Sequence, residues 1–122
     1  MEKEERDMEE QIERRNYLSA ASLAQRLGKP HEVIRELQEA ALKQSIVEHR
    51  NMPAAVVLVG EFQFTAGEVD RLLGAILEEA RAQQDQTPGW AKKRYDPKTM
   101  KYLDIEEWIS RYGADLKRGA NP

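Results

Sequence analysis

The first apolar positions, Met8 and Ile12, lie four apart in a stretch, residues 2–16, that is otherwise almost wholly charged. That spacing, with Glu10 and Arg14 also at i, i+4, predicts a helix with a narrow inward stripe, frayed at its start. Sustained a/d heptads are absent, so no coiled coil is predicted. A second helix is predicted over Ala20–Leu27, capped by Ser19, with Leu23, Ala24 and Leu27 inward and Gly28 as its stop. Pro30 suits the first turn of a third helix, in which Val33, Ile34, Leu37, Ala41 and Leu42 share one side. From Ser45 the period changes. Residues 45–50 read as extended, Asn51-Met52-Pro53 as a turn, and residues 55–64 as a β-branched and aromatic strand. The pattern predicts a hairpin whose tip is near Pro53.

Thr65-Ala-Gly-Glu68 reads as a capping box, with Val69, Leu72, Leu73, Ile76, Leu77 and Ala80 as the stripe of the helix behind it. Residues 83–89 are polar, end in Pro-Gly and read as a linker. Beyond them come Trp90, a basic run to Tyr95, and a turn at Asp96-Pro97. Asp104-Ile-Glu-Glu107 is a second capping-box start for a short helix carrying Ile105, Trp108, Ile109 and Tyr112. Gly113 is predicted to end that helix, and the tail from Ala114 to be disordered. The expected fold is mainly α with a small β-hairpin wing. Residues 1–82 form the domain, with an N-terminal helix and a long C-terminal helix, and residues 83–122 a linker and a basic, aromatic, helical extension.

Composition narrows the function classes. With 122 residues, 40% apolar, the chain supports one modest core. It has no cysteine, which removes disulfides and thiolate metal sites and agrees with a reducing cytoplasmic setting. No run approaches a membrane span, and the acidic opening MEKEERDMEE does not read as a secretory signal. The net charge of −3 argues against indiscriminate polyanion binding, but the charge is uneven: residues 52–87 carry six acids and two bases, residues 88–122 five acids and eight bases.

Leu23-Ala24-Gln25-Arg26-Leu27-Gly28-Lys29-Pro30-His31-Glu32-Val33-Ile34-Arg35-Glu36-Leu37 resembles the helix-turn-helix superfamily. A small residue at Ala24 lets two helices cross closely, Gly28 supplies a left-handed turn, and Ile34 and Leu37 fill the angle. With the hairpin expected after it, the order resembles a winged helix. The stretch from Val57 through Gly60, Phe62, Phe64 and Thr65 to Leu73 is similar to the wing-to-helix passage in the C-terminal winged helices of the selenocysteine-specific elongation factor. That resemblance implies the fold and raises an RNA-binding role. The run from Lys101 to Ile109 is similar to the end of excisionase-type and phage packaging winged helices, where a strand leads into a short helix with a buried tryptophan.

On the third helix, His31, Arg35, Gln38 and Lys43 are expected to face outward, as a reader of base edges requires. Glu32, Glu36 and Glu39 lie among them and favour a solvated face or a protein contact instead. Arg50 falls on the expected wing. Lys92, Lys93, Arg94, Lys98 and Lys101 interleave with Trp90, Tyr95 and Tyr102, combining cations for phosphate with rings for bases; the plainer reading packs the rings and leaves the lysines solvated. His31 and His49 are the only histidines, no His-x-x-x-His pair or glycine-rich phosphate loop occurs, and neither metal, cofactor nor catalytic residue is assigned. The leading expectation is a non-enzymatic winged-helix protein that binds DNA or RNA, a DNA-binding regulator or phage or mobile-element factor ahead of an RNA binder. The alternative is a protein-interaction adaptor or assembly factor that uses the third helix or the wing. No membrane partner is expected.

Overall fold

The computed structural model describes residues 2–82 and 93–121. The expected linker over residues 83–89, Trp90 and Lys92 lie outside the described residues. The fold is mainly helical with one small antiparallel hairpin among the described residues. The chain divides into two compact units, residues 1–44 and 45–122. No helix among the described residues is long and apolar enough to cross a membrane.

The first unit holds α1 (Glu2–Glu13), α2 (Tyr17–Arg26) and the greater part of α3 (His31–Val47). Met8, Ala20, Ala21, Ala24 and Leu37 form its buried core, with Ile12, Leu23, Leu27, Val33 and Ile34 packed against it. Three alanines on α2 allow α1 and α2 to approach closely, which a two-residue apolar stripe on α1 needs in order to bury anything. Arg14 pairs with Glu10 at 2.6 Å as the spacing predicts, and Lys29 reaches Glu5 at 2.7 Å. Gly28 has φ +68° and ends α2 in a Schellman motif, its amide donating to the Gln25 carbonyl and the Lys29 amide to that of Ala24. The expected Ser19 cap is displaced: α2 begins at Tyr17, and Asn16 at its cap position turns its side chain to Gln11 instead.

The second unit begins with the last turn of α3, where the expected hairpin over residues 45–64 does not form. α3 runs on to Val47, because Leu42 and Ile46 continue its buried stripe at i, i+4. Residues 52–61 then form α4 (Met52–Glu61). The Asn-Met-Pro signal marks a helix start: the Asn51 Oδ1 accepts the Ala54 amide at 3.1 Å, and proline sits in the first turn. Ala55, Leu58 and Val59 are buried with helical spacing while Val57 is exposed, so tertiary burial overrides the β preference of a valine-rich run. α4 ends in a second Schellman motif, with Gln63 at φ +56° in the glycine position and the Phe64 amide on the Val59 carbonyl.

α5 (Ala66–Ala82) starts at the expected capping box: the Glu68 amide donates to Thr65 Oγ1 at 3.1 Å and the Thr65 amide to Glu68 Oε1 at 3.0 Å. Strands β1 (Arg94–Asp96) and β2 (Lys101–Leu103) pair antiparallel, Tyr95 opposite Tyr102. α6 (Ile105–Arg118) follows, opened by the reciprocal Asp104–Glu107 capping box. It packs on α4 and α5 through a stripe in which Trp108, Ile109, Tyr112 and Leu116 are buried. Gly113 does not end this helix. It lies within it, where α6 passes Leu73 of α5. The expected disordered tail is instead helical to Arg118, after which the Asn121 amide donates to the Phe64 carbonyl and the Asn121 carbonyl accepts from Ala66.

Candidate nucleic-acid interface

The two sets of candidate residues have different surroundings. On α3, His31 is exposed, Arg35 and Lys43 are half-buried, and Gln38 is buried. The expectation that Gln38 faces outward is therefore corrected: its Oε1 accepts Arg35 Nη1 at 3.0 Å, and burial of a side-chain amide requires such a partner. Glu32, Glu36 and Glu39 are exposed along the same helix. A polyanion approaching this surface meets carboxylates as well as cations.

The hairpin is different. A strand alternates its side chains between faces, so the register sets Arg94, Asp96 and Leu103 on one face and Tyr95 and Tyr102 on the other. The two tyrosines are exposed, at 51% and 65%, and meet edge to face with ring centroids 5.4 Å apart. Lys93, Arg94, Lys98 and Lys101 are exposed in the same segment, with Arg94 and Lys101 on the Asp96 face of the hairpin.

The inner face is organised by Asp96, a residue singled out only as part of a turn. It is buried, and its Oδ2 accepts from the Tyr112 hydroxyl at 2.7 Å, the Thr99 hydroxyl at 2.7 Å and the Thr99 amide at 3.2 Å. Burial pushes the Asp96 carboxyl up, but the hydrogen bonds from Tyr112 and Thr99 outweigh it and hold the group below its ordinary value. Tyr112 moves the opposite way, raised by burial and by the adjoining carboxylate. The same carboxylate that secures the β1–β2 loop to α6 is thus saturated with donors. Lys98 Nζ lies 6.0 Å above the Tyr112 ring, and Tyr112 leans on Trp108 at 5.1 Å.

Arg50, expected on a wing strand, occupies the turn between α3 and α4 with φ +47°. Its Nε donates to the Val47 carbonyl at 3.0 Å and its Nη1 to the Leu103 carbonyl of β2 at 3.2 Å. Desolvation lowers its proton affinity, Arg94 lowers it further, and Asp104 opposes both. Arg50, Arg94 and Lys98 line one cleft of about 670 Å³, with His49 and the first turn of α4 on one side and Trp108 and Tyr112 beneath. Sequence reasoning selected these three cations separately and missed their convergence, together with Asp96, Tyr112 and His49. The one local signal was Asp96-x-x-Thr99, a pattern that closes its own turn by side-chain hydrogen bonds.

No group of His, Asp or Glu side chains suited to a metal ion occurs among the described residues. No protein-family model matches the chain, and neither a curated protein nor a solved structure matches it.

Proposed function

We propose that this chain is a nucleic-acid-binding module without catalysis of its own, and that the β1–β2 hairpin is its contact surface. The exposed Tyr95–Tyr102 pair, on a hairpin that also exposes Lys93, Arg94, Lys98 and Lys101, carries the reading. Rings offer stacking faces to bases of any identity, and the cations supply the phosphate attraction. None of the four cations is ion-paired among the described residues, while the nearest hairpin carboxylate, Asp96, is committed to Tyr112 and Thr99. Two edge-on tyrosines suit unpaired bases, so a single strand or a loop is the favoured form. Ala24 is buried and Gly28 is left-handed, as the helix-turn-helix resemblance requires. A wing directly after α3 is replaced by α4, so the hairpin at residues 94–103 takes the contact role expected of a wing.

A salt titration with fluorescent oligo-dT, hairpin RNA and duplex DNA tests this. Affinity for the single strand should fall steeply with salt and exceed that for duplex, and Tyr95→Ala with Tyr102→Ala should cost about 1–3 kcal/mol per stacked base. No binding of any of the three at low salt sinks the proposal. The second reading, an adaptor that captures a basic protein segment, draws on exposed Glu32, Glu36 and Glu39. In that case charge reversal on α3 would abolish partner capture and the hairpin would be dispensable.

A further inference from the structure

We infer that the cleft between the α3–α4 turn, β1 and α6 is a site for a nucleoside monophosphate group, which places the phosphorylated end of a strand beside the hairpin. The inference rests on the nucleic-acid reading for its biological source and on the cleft for its chemistry. Three cations from separated parts of the sequence converge there. Arg50 is held by carbonyls of Val47 and Leu103, so its guanidinium is fixed before a ligand arrives. Arg94 projects from the inner face of β1, and Lys98 from the loop that Asp96 fastens. Asp96 is the carboxylate lining the cleft, and it already accepts from Tyr112 and Thr99. Asp104, whose charge partly offsets that of Arg50, caps α6 through the Glu107 amide.

Arg50 and Arg94 repel each other at this cleft, and Lys98 adds a third positive charge to its lining. A bound dianion removes that repulsion. A terminal phosphate carries about −1.5 to −2 charge with three acceptor oxygens, against a single charge for a phosphodiester within the strand. Arginine pairs with such a group through two parallel hydrogen bonds. The cleft, about 670 Å³, lies within the range of small-ligand sites and leaves room for one nucleoside beyond the phosphate, against Met52 and Pro53.

The probes are oligo-dT hexamers with a 5′-phosphate, a 3′-phosphate or hydroxyls at both ends, and free dTMP and thymidine, titrated into the full chain at fixed salt. One phosphorylated end should raise affinity about tenfold over the hydroxyl hexamer, as a charge-assisted pair does, and dTMP should bind where thymidine does not. Arg94→Ala, at an exposed position that leaves Arg50 and its carbonyl contacts in place, should erase the end preference while keeping residual strand binding. Tyr102→Ala, outside the cleft lining, should weaken all three hexamers alike and keep the preference. Equal affinity for the three hexamers, or an end preference unchanged in Arg94→Ala, overturns the cleft assignment even if the strand binds. Binding of dTMP that depends on Arg94, with no affinity for any hexamer, overturns the hairpin reading and leaves the cleft as a mononucleotide site.

Discussion

The surface of α3 carries Arg35 and Lys43 and the hairpin segment carries Lys93, Arg94, Lys98 and Lys101, and the two sets differ in their surroundings. Arg35 on α3 is bonded to a buried Gln38, and the helix also exposes Glu32, Glu36 and Glu39. The hairpin exposes Lys93, Arg94, Lys98 and Lys101 together with two rings, and the local carboxylate is occupied by three donors. On the proposed reading, the number of cations matters less than their surroundings. What counts is whether the neutralising groups nearby have other partners. In a chain with a net charge of −3, a polyanion site depends on such local commitment.

The largest expected effect tests that contrast directly. Replacing Lys93, Arg94, Lys98 and Lys101 by alanine removes up to four phosphate contacts. The slope of log affinity against log salt for a single strand should shrink by roughly 3 units, with affinity about a hundredfold lower. Arg35→Ala and Lys43→Ala together should leave both quantities near wild type. The comparison breaks if the α3 pair matters as much as the hairpin set; fluorescence anisotropy across a salt series reads both.

Asp96→Ala sharpens the hairpin side. It strands the Tyr112 hydroxyl and the Thr99 donors, and a buried donor left without its partner costs about 1–3 kcal/mol. Acid should have a related effect. The Asp96 carboxyl is held below its ordinary value in the fold, so its contribution is present above the ordinary aspartate range near ~3.9 and is lost as pH falls through the lower folded value. Chemical denaturation at neutral pH and below pH 4 should show wild type losing stability and Asp96→Asn losing less. Parallel losses would mean that Asp96 is not the carboxylate responsible.

Ala24→Leu is the matching test on the α2–α3 side. Ala24 is fully buried in the first core, and overpacking there should cost about 1–3 kcal/mol. Because the binding surface is proposed on the hairpin, strand affinity should be unchanged under conditions where the variant is folded. A thermal midpoint equal to wild type would show that Ala24 is not packed in that core.

How legible all this was in the sequence depends on the range of the interactions. Both capping boxes are local patterns of four residues, and Thr65–Glu68 and Asp104–Glu107 form as read. The left-handed turns were legible only where glycine marks them. Gly28, Gln63 and Arg15 all have positive φ, but only the first announces it. The valine-rich segment was misread because composition was weighed above period: Ala55, Leu58 and Val59 are a helical triplet. Asn51 and Pro53 are common to turns and helix starts, so they could not decide the matter alone. The basic and aromatic hairpin was visible as a composition, and its four-residue loop as a turn. The cleft was not visible, since it exists only when Arg50 meets the carbonyl of Leu103, 53 residues away.

The smallest effect concerns the floor beneath that cleft. Gly113 was read as the end of the last helix, and it lies inside α6, one residue after Tyr112. A methyl group there would meet Ile109 Cγ2 and Leu73 Cδ1, each at 3.7 Å, which is ordinary van der Waals contact. Its φ is not in the positive range, so alanine adopts the backbone without strain. Glycine inside a helix is less favourable than alanine by about 0.5–1 kcal/mol, chiefly because the unfolded chain gives up more freedom. Gly113→Ala should therefore stabilise the protein by about that amount, and it should do so without altering strand affinity or the preference for a phosphorylated end. A helix that stopped at Gly113 in a left-handed turn would give the opposite sign, because alanine would be strained there. The sign of the shift in denaturant midpoint distinguishes the two, and a destabilised variant would mean that α6 does not run on through Gly113 to Arg118.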